Sequence, residues 1–238
     1  MAKFKYEIIY DIDRDIWNWY YGAKYSNNGQ QLKNKTDRKM ISSLRGLNKR
    51  EAEKTLRPFL RQKKGDLNSS LNEFIGISEQ EFSDKFTDAC LALESITNKP
   101  MASSSFKFFV TTFPRMVVFF DESIIFMYAK IDNKLWGMPI DGFLHEGLHF
   151  QVNKYYREDP KSPVSKLSDN EFYILNESLT VILDESLKPI ITLPDCSYQE
   201  FSEFRNVLHD HWKQNRDFGK LISYGLKRLP EFVAQFAG

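Results

Sequence analysis

The sequence predicts an α+β protein in which a helical region is followed along the chain by a small antiparallel sheet and then by further helices. Apolar residues recur at helical spacing within residues 33–97 and again after residue 141, whereas residues 106–131 are rich in β-branched and aromatic side chains. The chain has 238 residues, 42% of them hydrophobic, so it can form a packed core and is not expected to be disordered.

The first hundred residues are predicted to be mostly helical after a short initial strand. Polar and apolar residues alternate from Lys3 to Ile8, and an aromatic run from residue 17 to 21 indicates the start of a helix. Ser78 and Glu81 have the spacing of a capping box, which predicts another helix start. Pro100 and the serines at 103–105 place a boundary between regions 1–100 and 101–238.

Residues 33–64 are strongly basic, with 12 Lys/Arg against 3 Asp/Glu. Helical spacing of apolar residues, with Asn48 and Glu51 as a capping pair, predicts two helices here. This segment is either a surface for an acidic or nucleic-acid partner or the solvated faces of two helices. The second interpretation is favoured, since no DNA- or RNA-binding motif accompanies the charge and the net charge is only +1.

The remaining elements are three strands followed by helices. The strands are predicted at Phe106 to Thr112, Met116 to Phe120 and Ile124 to Ile131, and the last two form a hairpin. Helices are predicted at about 142–158, 169–187 and 198–237. Capping-box spacing marks two of these helix starts, Ser168 with Glu171 and Ser197 with Glu200.

The sequence also predicts a cytoplasmic, soluble protein with no membrane partner. Its first seven residues contain no uninterrupted apolar stretch, and no run approaches the roughly 18 apolar residues that span a bilayer. The two cysteines, Cys90 and Cys196, show neither CxxC spacing nor disulfide density.

Residues 143–150 contain the pattern that suggests chemistry, Phe-Leu-His-Glu-Gly-Leu-His-Phe. On a helix His145 and His149 lie about 40° apart and about 6 Å along the axis, so both can bind one ion. In this His-Glu-x-x-His pattern zinc supplies Lewis acidity, and Glu146 takes a proton from water. A third ligand is needed. Glu177 is the candidate, because it stands within an apolar helical stripe where a carboxylate must be paired or bind metal.

The chain from about 106 to 185 resembles the gluzincin clan of zinc metallopeptidases, and in particular the small gluzincin-like type. The resemblance rests on His-Glu-x-x-His at 145–149 and Asn-Glu-Ser-Leu-Thr at 176–180. It implies one zinc ion per chain on His145, His149 and Glu177, with Glu146 as general base for peptide-bond hydrolysis. It also implies that region 101–238 is a zincin-like catalytic domain, with a small antiparallel or mixed sheet packed on the metal-binding helices and helical segments flanking it. The strand at 116–120 is expected to pair with an extended peptide or protein substrate.

Two features depart from that family or stay open. Val181 stands where thermolysin-like members have a carboxylate that orients a zinc histidine, so Thr180 or Asp184 is expected to supply that hydrogen bond. The resemblance also implies a Tyr or His that stabilises the oxyanion. Of His209, His211 and Tyr224, Tyr224 is the preferred candidate.

The alternative function belongs to a different class of protein. It is a non-catalytic, zincin-like binding module, with or without metal, that uses the basic 33–64 surface for an acidic or nucleic-acid partner.

Overall fold

The computed structural model describes residues 3–25, 35–113, 116–129, 139–188, 190–191 and 201–233. The chain forms two compact units. The sheet unit comprises Lys5–Gln80 and Ser105–Trp136, and the helical unit comprises Met1–Phe4, Glu81–Ser104 and Gly137–Gly238. This grouping differs from the predicted regions 1–100 and 101–238, because a parallel pairing joins the first strand of the chain to the strand that begins at Ser105.

The sheet unit contains a four-stranded mixed sheet of order β1-β2-β4-β3. The strands are β1 (Lys5–Ile9), β2 (Ser105–Thr111), β3 (Val117–Phe119) and β4 (Ile124–Tyr128). β2 is parallel to both β1 and β4, and β3 is antiparallel to β4. The α+β class and the predicted hairpin are therefore confirmed.

Three helical segments accompany this sheet. They are α1 (Ile12–Tyr25), α2 (Lys35–Leu44) and residues 49–80 of the long helix α3 (Lys49–Thr97). α1 begins before the predicted aromatic run, because the Asp11 carboxylate accepts hydrogen bonds from the amides of Asp13 and Arg14 at 2.8 and 2.9 Å. The two helices predicted in the basic segment correspond to α2 and the start of α3.

A buried carboxylate ties α1 to the end of β2. Asp15 is fully buried and accepts hydrogen bonds from the hydroxyls of Thr111 (2.6 Å), Thr112 (2.8 Å) and Tyr10 (3.2 Å). The Trp19 indole N–H donates to the same Thr112 hydroxyl at 3.0 Å. These contacts satisfy polar groups that would be costly to bury alone.

The predicted helix starts have mixed outcomes. The Asn48–Glu51 capping box is present, with both reciprocal hydrogen bonds at 3.0 Å. The start predicted at Ser78 is wrong, because α3 continues through it and the Ser78 hydroxyl donates back to the carbonyl of Phe74. The start predicted at Ser197 lies outside the described residues.

The helical unit is built from the end of α3 and the helices that follow the sheet. These are α4 (Pro139–Val152), α5 (Asp169–Leu179), α6 (Leu183–Ser186), α7 (Ser202–Asn215), α8 (Phe218–Arg228) and α9 (Pro230–Val233). One π-helical turn (Asn153–Arg157) follows α4, and a 3-10 turn (Thr180–Ile182) joins α5 to α6. Phe82 and Phe86 of α3 pack on Phe143 of α4. Within the described residues no helix is both long enough and apolar enough to cross a membrane.

Candidate metal centre

Helix α4 carries the two histidines, and α3 anchors its first turn. α4 begins at Pro139, a residue whose missing N–H costs nothing at a helix start. The Glu81 carboxylate accepts a hydrogen bond from the Ile140 amide at 3.2 Å. Glu81 therefore caps α4 rather than opening a helix of its own. Phe143, Leu144 and Leu148 of α4 are fully buried, so packing holds this helix in place.

Helix α5 carries Glu177 and starts where the sequence predicted. The Ser168 hydroxyl accepts from the Glu171 amide, and the Glu171 carboxylate accepts from the Ser168 amide, so this capping box is confirmed. Leu175 and Leu179 are fully buried on either side of Glu177 along the helix. The apolar face that buries α5 thus also buries the Glu177 carboxylate, which is only 9% exposed.

The described chain brings the three predicted ligand atoms together. His145 Nε2 lies 3.0 Å from His149 Nε2. Glu177 Oε2 lies 3.3 Å from His145 Nε2 and 3.4 Å from His149 Nε2. The three side chains form the one group of potential metal ligands found among the described residues.

This triangle has the size of one face of a zinc tetrahedron. Zinc binds imidazole nitrogen and carboxylate oxygen at about 2.0–2.2 Å, so tetrahedral angles place neighbouring ligand atoms about 3.3 Å apart. The observed separations of 3.0, 3.3 and 3.4 Å lie close to this value. Two imidazoles with one carboxylate also suit zinc chemically, and three protein ligands are the usual number in a site that leaves one position open.

The electrostatics of the triangle favour an ionised carboxylate. Burial acts to raise the pKa of Glu177, but attraction to the imidazole of His149, with a further contribution from His145, outweighs it and holds the pKa at about 2. Glu177 Oε2 is nevertheless buried without a properly oriented hydrogen bond from any described residue. An anionic oxygen in that position has the chemistry of a cation ligand.

The support around the histidine rings differs from that of a typical zinc site. A ligating histidine normally donates its second ring N–H to a carboxylate or carbonyl. The buried Nδ1 atom of His149 has no hydrogen-bond partner among the described residues. The Thr180 hydroxyl does not supply one, since it donates to the main-chain oxygen of Glu177 at 2.8 Å. The side chain of Asp184 lies outside the described residues.

Arg205 of α7 lies beside the centre and is not among the site residues predicted from the sequence. Its Nη1 atom donates to the main-chain oxygen of Glu177 at 2.9 Å and to the Thr180 hydroxyl at 2.7 Å. The sequence held a signal for it. Arg205 stands among Phe201, Phe204 and Leu208 on the buried side of α7, and a cation there requires buried acceptors.

The proposed base and the proposed oxyanion residue have different surroundings. Glu146 is 8% exposed and follows His145 on α4. Tyr224 of α8 stacks on His211 with ring centroids 4.0 Å apart, and its hydroxyl accepts a hydrogen bond from Arg228 at 2.9 Å. The catalytic roles of Glu146 and Tyr224, and the substrate-pairing role of residues 116–120, stay predictions.

The basic segment presents cations along one side of α3. Arg50, Lys54, Arg57 and Arg61 follow helical spacing, and they line a surface concavity of about 400 Å³ together with Glu53 and Pro58. Arg57 already forms ion pairs with Asp13 and Glu53 at 2.6 and 2.7 Å. Part of this positive charge is thus neutralised by neighbouring carboxylates.

The chain was compared with protein-family models, curated proteins and solved structures. Neither a family model, nor a curated protein, nor a solved structure matches it. It is an α+β protein whose helical unit holds a compact His-His-Glu cluster.

Proposed function

We propose that this protein is a zinc-dependent metallopeptidase with a zincin-like core. One observation carries the proposal: the imidazoles of His145 and His149 and the carboxylate of Glu177 meet with the spacing of tetrahedral zinc ligands. The His-Glu-x-x-His pattern then places a carboxylate, that of Glu146, beside the first ligand. Resemblance to the gluzincins supports the same assignment.

In the proposed reaction His145, His149 and Glu177 would hold the zinc ion, which would supply Lewis acidity to the attacking water and the scissile carbonyl. Glu146 accepts a proton from the water whose oxygen attacks the scissile carbonyl carbon. The same carboxyl group then gives this proton to the amide nitrogen as the carbon–nitrogen bond breaks, so the products are a carboxylic acid and an amine.

Metal analysis of the purified protein tests the first part of this proposal. We expect one zinc per chain, retained in Glu146→Gln and lost in His149→Ala and Glu177→Ala. Glu203→Gln, which removes an exposed carboxylate from the first turn of α7, is the matched control and should keep its zinc. Equal metal content in all five proteins would place the zinc elsewhere and refute the assignment.

Hydrolysis of a peptide library, read by mass spectrometry, tests the second part. Glu146→Gln should lower kcat by about 10²- to 10⁴-fold while leaving the zinc content unchanged, because it removes only the proton acceptor. A Glu146→Gln variant with wild-type turnover would exclude the proposed base.

The basic side of α3 supports a second candidate, a non-catalytic module that binds a polyanion. Four cations at helical spacing line one concavity there. In that case the protein should bind DNA or RNA with an affinity that falls steeply with salt, and it should cleave no peptide. Stoichiometric zinc with peptide cleavage and no nucleic-acid binding would favour the peptidase.

A further inference from the structure

We propose that Arg205 is a positioning residue that holds Glu177 in ligand geometry by fixing its main-chain oxygen. This inference rests on the proposed metal site. It adds to that site a residue from a third helix, α7, which no feature of the His-Glu-x-x-His pattern identifies.

The Arg205 guanidinium is buried where charged groups are seldom found. It is 6% exposed, and its Nη1 donates to two acceptors, the Glu177 main-chain oxygen at 2.9 Å and the Thr180 hydroxyl at 2.7 Å. Hydrogen bonds from a charged donor are shorter and stronger than neutral ones. Both bonds are made at the C-terminal end of α5, so the buried arginine restrains the backbone there.

Arg205, the Thr180 hydroxyl and the Glu177 main-chain oxygen are joined pairwise by three hydrogen bonds. The Thr180 hydroxyl accepts from Arg205 and donates its own proton to the Glu177 main-chain oxygen at 2.8 Å. That oxygen therefore receives two side-chain donors, which is the number of its lone pairs. Moving the Glu177 peptide group would break both bonds and leave a buried cation with fewer acceptors.

The local backbone explains why a restraint is needed at this position. α5 ends at Leu179, and the next three residues adopt 3-10 geometry before α6 starts at Leu183. A change from α to 3-10 geometry alters the hydrogen-bond partner of each carbonyl and the direction of each side chain. Glu177 stands at this transition, only two residues before α5 ends, while His145 and His149 are held on a regular helix.

The consequence for the centre follows from the tolerance of metal coordination. A catalytic constellation must be held within about 0.5 Å, and residues that orient ligands change metal affinity by about 10- to 100-fold when removed. Freeing the Glu177 peptide group would let Oε2 leave the position 3.3–3.4 Å from both imidazoles. Arg205 acts on the metal through Glu177, without touching it.

Cobalt(II) titration of the metal-free protein tests this role, because the visible spectrum of cobalt reports coordination geometry independently of peptidase activity. Arg205→Met should weaken cobalt and zinc binding by about 10- to 100-fold and alter the cobalt bands. Arg205→Lys, which keeps a charged donor, should recover part of the affinity. Thr180→Val, which removes one of the two donors to Glu177, should give a smaller loss of the same kind.

Arg157→Met is the matched control. Arg157 also donates to main-chain oxygens in the helical unit, those of Leu167 (2.6 Å) and Val164 (3.2 Å), but neither belongs to a ligand residue. Its loss should leave cobalt affinity and spectrum unchanged. If Arg205→Met does not fold, Arg205→Lys and Thr180→Val decide the question.

The outcomes separate this inference from the proposed function. A wild-type protein that takes up no cobalt or zinc overturns both. Wild-type binding with undiminished affinity and an identical spectrum in the folded Arg205 and Thr180 variants overturns the positioning role alone. Equal losses in Arg205→Met and Arg157→Met also overturn it, because they would reflect general loosening of the unit.

Discussion

Substituting Gly147 with alanine tests how tightly helix α4 is held by α3. Gly147 lies between the two histidines on α4, and a Cβ atom added there would be 2.7 Å from Leu93 Cδ1 and 3.6 Å from the ring of Phe143. Ordinary carbon–carbon contacts are about 3.5–4.0 Å, so Leu93 would have to move by roughly 1 Å. Leu93 is fully buried, and this movement would push against packed neighbours.

The size of the effect follows from two opposing contributions. Alanine gains about 0.8–1.0 kcal/mol of helix propensity over glycine. Forcing a methyl group into a packed core costs about 1–3 kcal/mol. Gly65→Ala provides the propensity gain alone, since no atom lies within 4 Å of its added Cβ. We therefore expect Gly147→Ala to be about 1–3 kcal/mol less stable than Gly65→Ala, relative to wild type.

Urea unfolding of both variants measures this difference, and a double-mutant cycle assigns it to one contact. Leu93→Ala alone should cost about 2–5 kcal/mol, and the added methyl at position 147 should return about 1–2 kcal/mol of that loss. If Gly147→Ala stabilises the protein as much as Gly65→Ala, the close approach of the two helices described above is refuted.

Three further changes test contacts that lie within one unit or the other. Gln151→Met should destabilise the helical unit by about 1–3 kcal/mol in urea unfolding, because the Gln151 amide bonds the Ala102 amide at 2.7 Å and the Pro100 carbonyl at 3.1 Å, and methionine cannot replace these bonds. A loss below about 0.5 kcal/mol would contradict this. Ser168→Ala should cost about 0.5–2 kcal/mol by removing the α5 cap, whereas Ser165→Ala, outside any helix cap, should cost less. Burial raises the pKa of Asp15 against the opposing hydrogen bonds from Thr111, Thr112 and Tyr10, so its stabilising contribution is complete below the unfolded value of about 3.9 and is lost as pH rises through the folded value. Asp15→Asn, which cannot ionise, should therefore gain stability relative to wild type between pH 4 and pH 7, and a constant difference across that range would show that folding does not raise the pKa of Asp15.

The residues of the candidate site could be predicted from the sequence, because each was marked by residues close to it in the chain. His145 and His149 share one helix, so a spacing of four residues fixes their common face. Glu177 lies on another helix, yet a carboxylate on an apolar stripe marked it without knowledge of how the helices pack. The Ser168 capping box succeeded for the same reason, since both of its partners lie within one turn.

Patterns that depend on distant partners were harder to interpret. Ser78 and Glu81 have capping-box spacing, but both lie inside the continuous helix α3. The Glu81 carboxylate instead accepts a hydrogen bond from the Ile140 amide of α4. The place of β1 in the sheet depends on pairing with β2, which lies about a hundred residues later. Arg205 contacts residues 25 to 28 positions away, so nothing near it in the sequence names its acceptors.

The long helix α3 has a consequence for how this gene product can be divided. Residues 49–80 of α3 belong to the sheet unit and residues 81–97 to the helical unit, where Phe82 and Phe86 contact Phe143. A fragment that starts at residue 101 would lack these rings and the Glu81 carboxylate that caps the histidine-bearing helix. Truncation or fusion at residue 101 would therefore uncover the Phe143 ring and leave the first turn of α4 without its carboxylate partner.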